Sequence, residues 1–406
     1  MGCERITGSN RINCYRLIRF DPVFLFIFFL FEQRVIPVRT ETLIVGGGLC
    51  GLHTASELTK RGADFMLVEA RDRLGGRILT RTFGGSGDEH EQPGFDLGPA
   101  WFWPGQALME SLIDELGLSS QIFTQYASGE GIYEDEQSVR RGFPSISMAG
   151  SYRMKGGMQQ IIAAIESRVA AERLLCSTPV TKLTRSDESI CTTVLMAGTM
   201  TEIHSDRVVF AMPPRLVEQT IEFDPPLTSA WASALRANAT WMAGHAKLLA
   251  VYADAFWRAR GLSGDAISHR GPLGEIHDAS PDDGGPYALF GFFGVPASYR
   301  AAHEEELRAA AIEQLARLFG SEARSPLEVT IKDWARDPRT ATPLDQDLSN
   351  DHAFGTMTGL AEPEWDGNII WSGSETADGH DVHFGGYLEG AVASSVRTVG
   401  LLEPKP

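Results

Sequence analysis

Residues 42–69, TLIVGGGLCGLHTASELTKRGADFMLVE, set an apolar run (Leu43, Ile44, Val45) directly before Gly46, Gly48 and Gly51 at G-x-G-x-x-G spacing. A helical pattern follows, and a second apolar run ends in Glu69. Strand, tight turn, helix and second strand in that order leave little choice but a βαβ unit. Gly46 sits where the turn tolerates no Cβ, Gly48 lets the backbone approach a pyrophosphate, and Gly51 lets the helix pack on the strand. The helix N-terminus offers free N–H groups and the positive end of its dipole to phosphates. Glu69 stands 21 residues after Gly48 and can accept both ribose hydroxyl protons of an adenosine. An acid there disfavours a 2′-phosphate, so the segment reads as a dinucleotide site for a ligand other than NADP.

At 406 residues the chain can hold two domains around a sizeable core. A formal net charge of −17 with no basic patch to offset it argues against a nucleic-acid partner. Cys3, Cys14, Cys50, Cys176 and Cys191 show no metal-ligand spacing and no disulfide framework. No metal site is expected from them, and a reducing, cytoplasmic compartment fits.

The first 40 residues read separately. Arg5, Arg11, Arg16 and Arg19 precede an apolar run from Pro22 to Phe31. About ten apolar residues are too few to span a bilayer. No small-x-small cleavage site follows, since the next residues are Glu32, Gln33 and Arg34. The segment reads as an extension upstream of the fold, with export or membrane association the alternative if residues 1–34 belong to the natural protein.

Further along, residues 105–116 carry Leu108, Leu112, Ile113 and Leu116 on one helical face. The polar stretch from Thr124 to Gly142 reads as loops, and residues 156–172 as a helix opened by Gly156 and Gly157. Short β runs follow at 174–176, 180–183, 191–196 and 208–210, stopped by Pro213 and Pro214. Residues 245–254 and 287–293 read as strands of a larger sheet, 304–319 as an amphipathic helix, 369–371 as a buried strand and 386–399 as a helix rich in small residues. A βαβ unit mixed with later meandering strands predicts a dinucleotide domain interrupted by a substrate domain.

Four separated segments give the chain a resemblance to a known family. They are Leu43–Thr80 with EARDRLGGR, Asp96–Trp101, the run of KGGM, TPV and AMPP from Lys155 to Pro214, and Trp371–Val399 with GSET and GYLEGAVASS. In that order they resemble the flavin-dependent amine oxidase superfamily of monoamine, polyamine and L-amino-acid oxidases. The resemblance implies an α/β fold, a Rossmann-type FAD-binding domain interleaved with an α+β substrate domain whose mixed sheet is flanked by helices. It assigns residues 41–105, 148–222 and 345–402 to the FAD-binding domain, and 106–147 and 223–344 to the substrate domain. Residues 1–40 stay outside both.

The cofactor implied is FAD. Carried over by match, Gly46, Gly48 and Gly51 would lie at the pyrophosphate and Glu69 at the adenosine ribose, with Leu49, Cys50 and Ala70 as further cofactor contacts. Arg71 and Arg77 would line the phosphates and ribityl chain, Gly76 would be a further cofactor contact, and Val180 would meet the adenine through its backbone. Gly98, Pro99, Ala100, Trp101 and Trp334 would contribute further contacts, and Gly373 and Glu375 would meet the ribityl–phosphate region. Tyr387, Leu388 and Ala391 would approach the isoalloxazine, where a helix dipole stabilises the reduced flavin. No cysteine follows Cys191, so attachment through a late cysteine is excluded and FAD is expected to be non-covalent.

The resemblance further implies oxidation of a neutral amine, a hydride equivalent passing from its α-carbon to flavin N5 and the imine then hydrolysing. Electrons would pass to O2 or another acceptor. Tyr387 matches one wall of the family's aromatic cage. The other wall is expected shortly after Trp334, where WARDPRTATPLDQ holds no aromatic before Phe354, which leaves Trp101, Trp103 or Phe384 as substitutes. A lysine that assists oxygen is expected after a strand like Tyr287–Phe293, where GVPASYR has none; Lys247 is the candidate substitute. Tyr387, Trp101 and Lys247 are therefore the catalytic candidates, with His380 and His383 as possible tuners of protonation. Trp101 stands where L-amino-acid oxidases place a carboxylate-binding arginine, so a hydrophobic or aromatic amine fits better than a free amino acid. Rival readings are a C–C desaturase or ring dehydrogenase of the protoporphyrinogen or phytoene type, and a flavin-binding protein without turnover. A homodimer is left open.

Overall fold

The structure, a computed structural model, describes residues 38–84, 93–143, 148–282, 284–346, 364–377 and 383–403. The chain divides into two units, Met1–Val38 and Arg39–Pro406, and apart from Val38 the elements below belong to the second. Residues 1–37, with the basic and apolar N-terminal runs and Cys3 and Cys14, lie outside the described residues, as do Phe354 and His380.

The fold is α/β, built on two large sheets. Val38–Val45 and Phe65–Val68 run parallel, with Thr42 opposite Phe65 and Val45 opposite Val68, and the helix Leu49–Lys60 connects them. This is the Rossmann-type unit expected from the glycine fingerprint. Across this eight-stranded sheet the order is Glu222–Asp224, Val180–Arg185, Ile190–Met196, Thr199–Phe210, Val38–Val45, Phe65–Val68 and Leu174–Leu175, with Ile369–Trp371 pairing Thr199–Phe210. Strands from the start, middle and end of the chain thus meet in one sheet. Leu52, Ala55, Phe65, Leu67, Ile113, Ile161, Ile165 and Val392 form its core with the helices Ala107–Glu115, Gln159–Glu166 and Leu388–Leu402.

The seven-stranded sheet runs Glu328–Asp333, Ala246–Tyr252, Tyr287–Phe293, Leu273–Asp278, Leu262–Ser268, Glu130–Glu134 and Val139–Phe143. The last two strands correct the reading of residues 124–142 as loops. Their sequence is charged and lacks an apolar alternation, yet they pair as a hairpin at the sheet edge, Ile132 opposite Arg141 and Glu134 opposite Val139. Buried Glu134 is satisfied by Ser268 and Arg317, so a polar strand is tolerated there. The helix expected over 156–172 is also shorter, Gln159–Glu166, because Gly156 and Gly157 hold positive φ and shape the turn before it.

Strand period two divides Ala246–Tyr252 between two environments. Leu248, Ala250 and Tyr252 pack with Leu307, Ala311, Leu315 and Phe319 of the helix Glu304–Phe319. Leu249 and Val251 face the other way, into a cluster with Phe95, Leu97, Phe290 and partly buried Trp101. Lys247 shares the second face by alternation, which puts a lysine in an apolar setting between the sheet and the turn after Asp96. Among the described residues, no helix is long and apolar enough to cross a membrane.

Candidate active site

The glycine turn is built as its spacing predicts. Gly46 has φ +111°, and a Cβ there would stand 2.5 Å from the Ala211 carbonyl oxygen. A Cβ at Gly51 would meet the Gly46 carbonyl oxygen at 2.0 Å, so this glycine sets the approach of helix to strand. Gly48 is different: a Cβ there would meet nothing within 4 Å. The helix begins at Leu49 with no side-chain cap and no acid in its first turn. Its first N–H groups are therefore left to a ligand.

Buried Glu69 closes the second strand. It accepts the Gly47 N–H at 2.7 Å and the Arg71 N–H at 2.8 Å. Arg71 in turn reaches Asp337 and Thr340, both at 2.9 Å. Arg77 donates to the Trp241 carbonyl at 3.1 Å and to Ser374 Oγ at 2.8 Å, and pairs with the buried Glu375 carboxylate at 2.5 Å. Both arginines thus tie the segment after Glu69 to distant parts of the chain.

These groups line one cavity of about 830 Å³. Its wall includes Gly46, Gly48, Leu49, Cys50, Glu69, Ala70, Arg71, Gly76 and Arg77, the turn Gly98–Trp101, and Val180, Trp334, Gly373, Glu375, Tyr387, Leu388 and Ala391. Lys247 lines it as well. Of the cofactor-binding and catalytic candidates, Gly51 is absent from the wall, because it faces Gly46 rather than the open space. An open Gly48, an uncapped helix end and a carboxylate 22 residues beyond Gly47 in one cavity wall suit a pyrophosphate and its adenosine ribose.

The other part of the wall is aromatic and carries one amine. Tyr387 contacts Trp103 edge-on at 5.9 Å and stacks with Trp241 at 5.9 Å and 26°. Lys247 Nζ donates to the Gly98 and Asp96 carbonyls at 2.8 and 3.1 Å and lies over the Phe290 ring at 4.2 Å. Burial lowers its pKa to about 7; Asp96 opposes the shift and Arg153 adds to it. Burial also pushes the Tyr387 phenol up.

Two further titratable groups reach the wall. His245 stands two residues before Lys247; burial, with Arg300, pushes its imidazole down. Glu275 accepts from His277 Nε2 at 2.7 Å, and His277 Nδ1 lies 2.9 Å from Asp265. Burial would lower the His277 imidazole, but its bonds to Asp265 and Glu275 outweigh this and raise it.

Several of these residues escape a reading of the sequence. Trp241 and Met242 come from the segment after the helix Ser229–Ala237, and nothing in their spacing marks a site. Glu275 lies on a strand whose Gly and His break the apolar pattern. His245 carried a usable signal, since it alternates with Lys247 on an expected strand. The lysine sought after Phe293 has no counterpart, and the cavity's lysine comes from the neighbouring strand, where Lys247 pairs in register with Phe292. His383 is exposed, and Phe384 does not reach the cavity wall.

Residues 130–402 match the family model described as flavin containing amine oxidoreductase, and residues 44–116 match that of an NAD(P)-binding Rossmann-like domain. The chain is 25% identical to a Mycobacterium tuberculosis protein named as a flavin-containing monoamine oxidase, over 89% of this chain and 96% of that one. It is 23% identical to putrescine oxidase of Kocuria rosea, with 90% and 97% covered. Among solved structures, putrescine oxidase bound to putrescine superposes with a TM-score of 0.72 at 22% identity, covering 90% of this chain and 99% of that one. Cyclohexylamine oxidase from Brevibacterium oxydans gives 0.73 at 19% identity, with 89% and 98% covered.

Proposed function

The chain belongs to the flavin containing amine oxidoreductase family and is an FAD-dependent oxidoreductase of amines; we propose that it oxidises a hydrophobic or aromatic amine at the aromatic part of its cavity. The observation that carries this reading is the joining of Trp103, Tyr387, Trp241 and Lys247 to the glycine turn in one wall.

FAD, when bound, supplies the acceptor for the hydride equivalent of the amine, which carries the two electrons of the oxidation. Gly46, Gly48 and the first turn of Leu49–Lys60 would hold its pyrophosphate, and Glu69 and Ala70 its ribose. Val180 would contact the adenine, and Arg71, Gly76, Arg77, Gly373 and Glu375 the phosphate and ribityl stretch. Leu388 and Ala391, on a helix whose N-terminal end meets the cavity, would lie by the isoalloxazine. Gly98, Pro99, Ala100 and Trp334 would complete that wall. We assign cofactor binding to the eight-stranded sheet and its helices, and substrate binding to the seven-stranded sheet.

Tyr387 and Trp241 would flank the amine and keep water from it, with Trp241 serving where the segment after Trp334 lacks an aromatic. Trp101 would wall the pocket beside Phe290, its ring held by donation to Gln125 at 3.0 Å. Lys247, neutral above about pH 7, would take up or relay the proton that an ammonium substrate must lose. O2 or another electron acceptor would complete turnover.

Glu275 favours a second reading. A carboxylate on the wall would bind a second ammonium, as a short diamine carries, and one relative is named putrescine oxidase. Anaerobic mixing of the yellow holoprotein with benzylamine, cyclohexylamine and putrescine separates the two. Rapid bleaching of the flavin band by the monoamines is expected. Faster bleaching by putrescine would transfer the assignment to diamines, and none with any amine would overturn both readings.

A further inference from the structure

We infer that Cys191, Glu202 and His204 form a Zn2+ site on the outward face of the eight-stranded sheet, apart from the cavity. The three residues sit on neighbouring antiparallel strands, Ile190–Met196 and Thr199–Phe210. Cys191 is directly opposite His204, and Glu202 precedes the histidine by two positions on the same strand. Period two sends all three side chains to one side, while Ile190, Thr192 and Ile203 point into the core. A paired sheet therefore holds three ligands on a rigid base without any loop.

The sulfur, nitrogen and oxygen atoms lie within 4.8 Å of one another. His204 Nε2 stands 3.9 Å from a Glu202 carboxylate oxygen. A tetrahedral Zn2+ with bonds of about 2.0–2.3 Å sets its ligands about 3.3–3.8 Å apart. Exposed Glu202 and half-buried Cys191 and His204 can close that difference by side-chain rotation alone. His204 Nδ1 lies 3.4 Å from Ser189 Oγ, which can accept its N–H and leave Nε2 free for the metal.

The donor set selects the ion. Thiolate, imidazole and carboxylate together suit Zn2+, whereas Ca2+ and Mg2+ require oxygen ligands. A fourth position stays open to water at the surface. Binding replaces the Cys191 S–H bond by an S–Zn bond, and the proton leaves to solvent. No spacing in the sequence announces the site, because its ligands meet only through strand pairing.

Calorimetric titration of the reduced, FAD-loaded full chain with ZnCl2 tests the assignment, alongside Cys191→Ser and His204→Ala. One ion per chain with micromolar or tighter affinity is expected, and each substitution should weaken it by at least about tenfold, the scale of a disturbed ligand shell. Zn2+ should also slow alkylation of the Cys191 peptide, read by mass spectrometry, without protecting Cys176. Binding unchanged in both variants, or Cys191 alkylated equally fast with Zn2+, would overturn the site. Both positions are half-buried, and circular dichroism of each variant checks that the sheet persists.

Discussion

Lys247 Nζ donates to the Gly98 carbonyl oxygen at 2.8 Å, which pins a strand of the seven-stranded sheet to the turn that carries Trp101. Neither this carbonyl nor that of Asp96 neutralises the ammonium, and Lys247 as a residue is only 2% exposed. The lysine is therefore poised to lose its proton near pH 7.

Lys247→Met should remove an inflection near pH 7 from the rate of anaerobic flavin reduction by amine. Below that pH a charged Lys247 would repel an ammonium substrate and could accept no proton; above it both handicaps disappear. The same shift has a stability consequence. Between about pH 7 and the ordinary lysine range the unfolded chain holds a proton that the folded chain does not, so stability rises with pH across that window. Urea unfolding at pH 7.5 and pH 9.5 should show that gain in the parent protein and less of it in Lys247→Met. Identical gains in both would place the titration elsewhere.

Gly48 and Gly51 should separate when each is changed to Ala. Gly51→Ala drives a methyl against the Gly46 carbonyl and should disrupt the fold, seen as loss of soluble protein or of the thermal transition. Gly48→Ala meets open space, and φ −72° with ψ −179° is an extended conformation that alanine adopts readily. This variant should fold and melt like the parent but retain less flavin, because the methyl occupies room beside the pyrophosphate. The ratio of 450 to 280 nm absorbance reads the loss.

Trp241→Ala should reduce the rate of flavin bleaching by about tenfold to a hundredfold, the scale of a misplaced reactant, with bound flavin largely kept. Trp241→Phe keeps a ring against Tyr387 and should recover most of that loss. Equal rates in Ala and Phe variants would show that the indole wall takes no part in holding the amine.

The fold was legible where one periodicity dominated. The glycine fingerprint and its two apolar runs specified the parallel pair, and Glu304–Phe319 specified a helix by its apolar stripe. Glu130–Phe143 was not legible, because its strands are charged and buried Glu134 depends on Ser268 and Arg317, neighbours in space that are more than 130 residues away in sequence. The cavity divides similarly. Residues beside Gly48 and Glu69 announce themselves by spacing, while Trp241 and Glu275 reach the wall only through tertiary packing that no local pattern encodes.

Glu389 shows how the C-terminal helix fixes that wall from behind. Its carboxylate accepts the Leu108 N–H at 3.0 Å and the Met109 N–H at 2.7 Å, capping the helix Ala107–Glu115 from 280 residues away. That helix has no side-chain cap of its own, so one buried and one part-buried donor depend on this side chain. Glu389→Ala should cost about 1–3 kcal/mol in urea unfolding, the penalty for leaving buried polar groups unpaired. Glu389→Gln keeps one carbonyl acceptor and should recover part of the loss. Because Leu388 and Ala391 flank the same turn of helix on the cavity side, Glu389→Ala should also release flavin at lower urea than the parent. Coincident loss of flavin and fold in both proteins, at unchanged midpoint, would show that the cap contributes nothing to either.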